Sequence, residues 1–512
     1  MHGADRGGIV DEELSWTLDS HANSHVSVST RDVMCPNFVM NTRQHGGEEK
    51  STPMRKRLNY ENKLILAPMV RIGTLPMRLL ALDYGADIVY TEELIDWKLL
   101  RSIRRENDVL GTIDYIDKTD RTVAFRTCSR ERDNVVLQIG TSDPTRAVQV
   151  ASMVEKDVAG IDVNMGCPKK FSILGGMGAA LLTNPQQATS ILRKLIETVS
   201  IPVTCKIRVL PNLEETFQLC DTLTSTGIEA IAVHGRTIDE RPQHSNRNHV
   251  LKLISDRLSI PVIANGGSKD VQNHSDIFRF KEETGCSSVM LARAAEWNCS
   301  VFRKEGPLPM EDVIKSYLKY AIDYDNSPSN TKYCVQNILR ELQDSPLGRK
   351  FLDAQTLEQI CDLWGLGDYC RSKRKEFLEK GLLGRFQVTP VIFDEDTKDD
   401  CISQKRKMHD EEDVALMRCA FLRSSYTTDS ELPKTRLCKW TKDHHKKMPV
   451  YDTRKNDKLF CSVVTVDGRK YGSSFWEKNK KWAEQGAALV CLYFLGIIDE
   501  KSLATGGNVL SR

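Results

Sequence analysis

Short β-branched runs recur from residue 64 onward, separated by stretches long enough to hold a helix. They are LILAPMV (64–70), DIVYTEE (87–93), VVLQIG (135–140), GIDVNMG (160–166), VTCKIRV (203–209), AIAVHGR (230–236), PVIANGG (261–267) and SVMLARA (288–294). Their interiors are nearly continuous in apolar residues, which predicts parallel strands covered by helices. Eight such runs over about 230 residues have the size and rhythm of a (β/α)8 barrel, with a doubly wound sheet as the alternative.

The pattern changes on either side. Residues 1–57 are polar and without periodicity, and predict a disordered leader ahead of a barrel at 58–300. The acidic DEE near the start argues against a mitochondrial presequence. Between 301 and 375 the apolar positions repeat at three and four, as in MEDVIKSYLKYAIDY and NTKYCVQNILRELQ, which predicts a helical domain. Residues 376–430, with DEDTKDD and KRKMHDEED, offer little core material and read as a linker. From 431 to 497 a helix, an edge strand near PVYD, two alternating runs joined by DGR and a second helix predict a separate α+β domain. The last residues, 498–512, read as a disordered tail.

Composition narrows the class. The 512 residues are 40% hydrophobic and 28% charged, with a net charge of +2. No stretch approaches ~18 uninterrupted apolar residues, so no membrane span is expected. The fifteen cysteines are scattered without metal-ligand spacing. Together with the lack of a signal peptide, they favour a reducing intracellular compartment and no bound metal. The nearly neutral total hides a local excess: residues 431–485 hold fourteen Lys/Arg against seven Asp/Glu, which fits a polyanion-binding surface.

Polar residues close the strand-like runs: Pro68 and Met69, Glu92 and Glu93, Gln138, Asn164 and Cys167, Lys206, His234 and Arg236, Asn265 to Gly267, and Arg293. In a parallel barrel those ends share one face, where active sites lie. The pair Gly266–Gly267 after the seventh run and Ala292–Arg293 after the eighth suit a phosphate-bearing cofactor. Lys206, in an otherwise apolar run, is either salt-bridged or aimed at the barrel mouth. Cys167, between Gly166 and Pro168, sits on a tight turn, and its thiol is compatible with general acid or nucleophile.

These segments carry a family signature. APMVRIGTLPMRLLALDYGADIVYTEE, QIGTSDP, DVNMGCP, GGMGAALL, TCKIRV, AIAVHGRT and PVIANGG resemble the tRNA-dihydrouridine synthase family over roughly 60–375. The C-terminal part resembles a double-stranded RNA-binding domain, a pairing similar to eukaryotic cytosolic members of that family. The resemblance implies an FMN-dependent enzyme that reduces the C5–C6 double bond of a tRNA uridine. The uridine would lie in the D-loop at position twenty, and NADPH would be the electron source.

By the same resemblance, Cys167 would be the general acid. Pro68, Met69 and Val70 would pack on the flavin, and Gln138 and Lys206 would contact its rings. His234, Asn265, Gly266, Gly267, Ala292 and Arg293 would hold the ribityl chain or phosphate. Glu92, Glu93, Asn164 and Arg236 would position the uridine. Lys332 and Arg340 of the helical domain, with Lys434, Arg436, Lys478, Lys480 and Lys481 of the C-terminal domain, would meet the RNA. Trp482 departs from the small or polar residue expected near there. A monomer in the cytoplasm is expected. The alternatives are a flavin oxidoreductase of a small pyrimidine and a noncatalytic RNA-binding protein on a degenerate barrel.

Overall fold

The computed structural model describes residues 57–382 apart from 119–121, and residues 414–503 apart from 418, 423–425, 427, 457–458, 478 and 500–501. The expected leader (except Arg57), most of the linker and most of the tail lie outside the described residues.

Strands β1 (Leu64–Leu66), β2 (Ile88–Ile95), β3 (Ser102–Asn107), β4 (Thr112–Asp117), β5 (Val123–Cys128), β6 (Val135–Gly140), β7 (Gly160–Met165), β8 (Val203–Arg208), β9 (Ala230–His234), β10 (Val262–Asn265) and β11 (Ser288–Leu291) make up the first part. Eight of them close a parallel barrel in the order β1-β11-β10-β9-β8-β7-β6-β2, with β1 pairing both β11 and β2. Closure excludes the doubly wound sheet, and the eight barrel strands are the eight apolar runs. Every residue of β6 is buried, as a strand covered on both faces requires.

The helices between strands are punctuated locally. Asp143 accepts from the Arg146 N–H at 2.8 Å ahead of Pro144–Val154. Asn273 and Asp276 form a reciprocal capping box at His274–Thr284. The helices' apolar faces and the outer barrel face make one continuous core that runs on into the helices of 310–379. A smaller cluster, with Ile65, Ile88, Val136, Ala232, Ile263 and Met290, fills the barrel interior.

Two features were not anticipated. Strands β3, β4 and β5 form a separate antiparallel sheet inserted between the second and third barrel strands. Within it Arg126 clasps Asp114 at 2.6 Å, and Arg104 reaches out of it to Asp157, just ahead of β7, at 2.7 Å. The helix Gly367–Glu379 also runs past the expected end of the helical domain at 375.

The C-terminal domain holds β12 (Val414–Met417), β13 (Val450–Asn456), β14 (Leu459–Val466) and β15 (Arg469–Ser473), in the order β12-β15-β14-β13. Helices Pro433–Asp443 and Lys480–Phe494 accompany this sheet. β12 runs parallel to β15, and Cys419, Ala420 and Phe421 are buried. Ordered structure therefore begins before residue 431, inside the stretch read as linker. Among the described residues, no helix is long and apolar enough to cross a membrane.

Candidate active site and nucleic-acid interface

Side chains on a strand alternate between faces, so the inward set of each barrel strand climbs toward one mouth. On β6 to β9 this set reads Val136 and Gln138; Gly160, Asp162 and Asn164; Thr204, Lys206 and Arg208; Ala230, Ala232 and His234. The register sets Gln138 beside Asp162, Asp162 beside Thr204, Asn164 beside Lys206, and Arg208 beside His234, which pairs in turn with Asn265.

A single chain of hydrogen bonds ties these groups to the cysteine loop. Asp162 accepts from Thr204 Oγ1 at 2.7 Å and from Gln138 Nε2 at 2.8 Å. Gln138 Oε1 accepts from Asn164 Nδ2 at 3.0 Å. Asn164 Oδ1 accepts from the N–H groups of Gly166 at 2.9 Å and Cys167 at 3.0 Å. An ionised carboxylate only accepts, so Asp162 dictates which end of each amide faces which way. Burial lifts Asp162 to about 6, against the two hydrogen bonds that lower it. The amides of Gln138 and Asn164 are both engaged in holding the turn that presents Cys167.

Cys167 is half-buried, and its backbone carbonyl accepts from the Ala179 N–H at 3.0 Å. Burial, and next the facing Glu93 carboxylate, push Cys167 up to about 11. At neutral pH it is a protonated thiol, the form a proton donor needs and a nucleophile lacks.

A group of cations lines the same mouth. Burial first, then Lys206, Arg208, Arg236 and Arg293, hold His234 well below its ordinary value. Lys206 is brought down to about 8 by burial and by Arg208, against Asp162 and Cys167. Arg236 is buried, donating to the Gly266 carbonyl at 2.8 Å and to the His244 carbonyl at 2.8 Å. The Arg293 guanidinium makes no hydrogen bond among the described residues, and burial lowers its pKa. Asn265 is buried and donates to the Met290 carbonyl at 2.8 Å.

The glycine pair has two separate steric causes. Gly266 adopts φ +118°, and a Cβ there would collide with Asn246. At Gly267 a Cβ would stand 2.6 Å from the Phe280 ring. Asn246 Oδ1 is itself buried without a hydrogen-bond partner among the described residues. Crowded cations, an unpartnered amide oxygen and backbone stripped of Cβ fit an anionic, hydroxyl-bearing group such as the phosphate and ribityl chain of FMN. Pro68 and Met69 are half-buried beyond β1, Val70 is exposed, and Ala292 follows β11 half-buried.

The remaining expected contacts divide. Glu92 accepts from the Arg71 N–H, and Arg71 stacks over Tyr333 at 4.0 Å, joining the mouth to the helical domain. Lys332 donates to the carbonyls of Leu352 and Ala354, so its ammonium is engaged within that domain. Arg340 is exposed over the Trp297 ring at 4.4 Å.

In the C-terminal domain Lys434 pairs with Glu484 and lies over Tyr451 at 4.5 Å, and Arg436 is half-buried. Lys480 and Lys481 are exposed at the start of the second helix, where Asn479 accepts from the Trp482 N–H at 2.9 Å. Lys478 lies outside the described residues. Trp482 meets Phe421 edge-on at 5.9 Å, a packing role, while Ala483 and Ala487 are buried.

Sequence reasoning passed over Asp162, Thr204, Arg208 and Asn246. Arg208 was accessible to it, two residues from Lys206 and therefore on the same strand face. Among the described residues no cluster could hold a metal ion.

Comparison with known proteins places this arrangement. The family described as Dihydrouridine synthase (Dus) matches residues 65–321, and the Double-stranded RNA binding motif matches residues 433–495. A tRNA-dihydrouridine(20) synthase [NAD(P)+] of Schizosaccharomyces pombe is 41% identical over 293 residues, covering 55% of this chain and 60% of that protein. One of Saccharomyces cerevisiae is 36% identical over 301 residues, covering 55% of this chain and 78% of that protein. The crystal structure of a tRNA-dihydrouridine(20) synthase dsRBD domain is 42% identical. It covers 16% of this chain and 89% of its own, with a TM-score of 0.16. The chain belongs to the dihydrouridine synthase family, and its barrel is followed by a double-stranded RNA-binding motif.

Proposed function

We propose that the protein reduces the C5–C6 double bond of a uridine in the D-loop of tRNA, at position twenty, to dihydrouridine. The observation that carries this reading is a protonated thiol, Cys167, held at a barrel mouth lined by Lys206, Arg208, His234, Arg236 and Arg293. Family membership and the names of the relatives point the same way.

FMN, when bound, would supply hydride chemistry, with NADPH as the electron source. The protein's residues do the rest. Arg293 and the backbone at Gly266–Gly267, which Arg236 braces through the Gly266 carbonyl, would hold the phosphate end, with His234, Asn265 and Ala292 beside them. Lys206 carries positive charge at the ring system, where negative charge develops on reduction. Pro68, Met69 and Val70 close the apolar side. The chain from Asp162 through Gln138 and Asn164 fixes the turn so that Cys167 delivers its proton to C5. A stacked uridine must leave its helix to reach this mouth. Lys480 and Lys481 suit a surface that holds folded RNA by its phosphates and A-form shape. The thirteen described cysteines are all free thiols, which fits a cytoplasmic setting.

The test is single-turnover reoxidation of the reduced protein by tRNA lacking dihydrouridine. Cys167→Ala is expected to keep FMN and lose most of the rate. Equal rates for variant and wild type would remove the general-acid role. Reoxidation by a free pyrimidine but not by tRNA would favour a small-molecule oxidoreductase.

A further inference from the structure

Six of the described residues other than glycine adopt a positive φ. Four are Asn62, Asp325, His445 and Asp467, the residue types that enter the left-handed region most readily. The other two are Arg71, at φ +68°, and Arg340, at φ +47°. An arginine gains nothing locally from that conformation, so its surroundings must hold it there. Both also lay the guanidinium on an aromatic ring, Arg71 on Tyr333 at 4.0 Å and Arg340 on Trp297 at 4.4 Å. Arg340 was expected at the RNA from the sequence; Arg71 was not.

What holds Arg71 can be traced. It stands in the loop that leaves β1 at the barrel mouth, one residue beyond Val70. Gly73 lets this loop lie close on the end of β2, because a Cβ there would stand 2.9 Å from the Glu92 nitrogen. Glu92 then accepts from the Arg71 N–H. From the helical domain, Asn330 Nδ2 donates to the Arg71 carbonyl at 2.6 Å, and the Cys334 thiol donates to it at 3.4 Å. Asn330 is placed in turn by Thr74 and Asn326, which donate to its Oδ1 at 3.1 and 3.0 Å. Barrel and helical domain thus fix both backbone groups of Arg71, and Tyr333 lies under its side chain.

The guanidinium itself is left almost unused. One of its five N–H groups donates, to the Ser329 carbonyl at 3.3 Å, and it forms no ion pair among the described residues. The residue is exposed. An exposed planar cation, steadied by a ring and short of acceptors, suits a phosphate, which can take two parallel N–H bonds. The second stack extends the pattern: Tyr333 lies on the helix Pro328–Leu339, and Arg340 ends that helix. Two cations set along one helix match a chain of phosphates.

We propose that Arg71 binds a phosphate of the RNA beside the extruded uridine, holding the backbone while the base enters the barrel. Its loop also carries Met69 and Val70, the residues expected against the flavin, so RNA held here lies next to the reacting nucleotide. This inference rests on RNA being the substrate. NADPH is the other source of phosphate, and the test separates the two.

The experiment is equilibrium binding of tRNA lacking dihydrouridine to the full-length FMN-loaded protein over a salt series. Arg71→Gly removes the guanidinium and suits the positive φ, so the fold should tolerate it. It is expected to weaken binding about tenfold and to lower the salt slope by about 0.7–0.9, the share of one phosphate. Arg71→Lys keeps the charge without the planar fork, and should restore the slope but only part of the affinity. Wild-type affinity and slope in Arg71→Gly would overturn the proposal. So would unchanged tRNA binding with a raised NADPH requirement for flavin reduction, which would give the phosphate to the dinucleotide. Should Arg71→Gly fail to fold, Arg71→Gln must show the same loss of affinity and slope.

The two readings fail separately. Wild-type protein that turns over tRNA, with Arg71→Gly binding it equally well, removes the Arg71 role alone. Wild-type protein that ignores tRNA and is reoxidised by a free pyrimidine removes both.

Discussion

The barrel mouth and the C-terminal domain are both basic, but in opposite ways. At the mouth, Lys206, His234, Arg236 and Arg293 are withdrawn from solvent, and burial lowers the pKa of each. In the C-terminal domain Lys480 and Lys481 stand in solvent, and Lys480 lies 3.9 Å from Glu484. Crowded, desolvated cations are costly until an anion arrives, so they define one position closely. Exposed lysines cost little and specify little, which suits a polyanion read by shape. On the proposed function one chain combines a fixed anion seat with a loose one, and the two should respond differently to mutation, pH and salt.

The largest expected effect is at the mouth. Cys167→Ala should lower single-turnover reduction of tRNA by about 10²- to 10⁴-fold, the range for losing a positioned acid, while the yellow flavin spectrum stays. Next comes the anion seat itself. Arg293→Ala removes a charge-assisted contact of about 1.5–3 kcal/mol and should weaken FMN retention by roughly ten- to a hundredfold in equilibrium dialysis. If Arg293→Ala binds FMN as tightly as wild type, the seat is elsewhere.

A pH series sharpens the contrast. Lys206 titrates at about 8 before the anion binds, so it is charged below that value and neutral above it. FMN affinity of the apoprotein should hold steady on the acid side and fall by up to about tenfold per unit above that pH. His234, held well below its ordinary value, should add no break near neutrality. An affinity flat through the alkaline range would mean that Lys206 does not face the cofactor.

The smallest effect belongs to the exposed pair. Lys480→Ala with Lys481→Ala should weaken tRNA binding modestly and lower its salt slope by about 0.7–0.9 for each phosphate that the lysines neutralise. FMN reduction by NADPH should be unchanged. An unaltered slope would remove these lysines from the interface.

Much of this was legible in the sequence because parallel strands buried on both faces leave continuous apolar runs. All eight runs became barrel strands, and their polar ends gathered at one mouth. The β3–β5 sheet escaped notice because its strands offer no continuous apolar run: SIRREN has one apolar residue, and two aspartates break TIDYID. The start of the C-terminal domain was hidden for another reason: β12 is only four residues long and follows a run of charges.

Site residues were legible as types and positions but not as partners. Gln138 and Asn164 each end a strand-like run, and nothing in the chain says that their amides face each other. Lys332 looked available because its partners, the carbonyls of Leu352 and Ala354, come from a helix end that only folding brings near. Asp162 was passed over because a lone acid inside an apolar run gives no hint that Thr204 and Gln138 satisfy it.

The most direct test of the central claim is an anaerobic absorbance titration of the full-length protein. NADPH is added first, then tRNA lacking dihydrouridine. The account predicts a yellow protein that bleaches with NADPH and regains its colour with tRNA, one dihydrouridine appearing for each flavin reoxidised. A flavin that bleaches and stays bleached in the presence of that tRNA would contradict it.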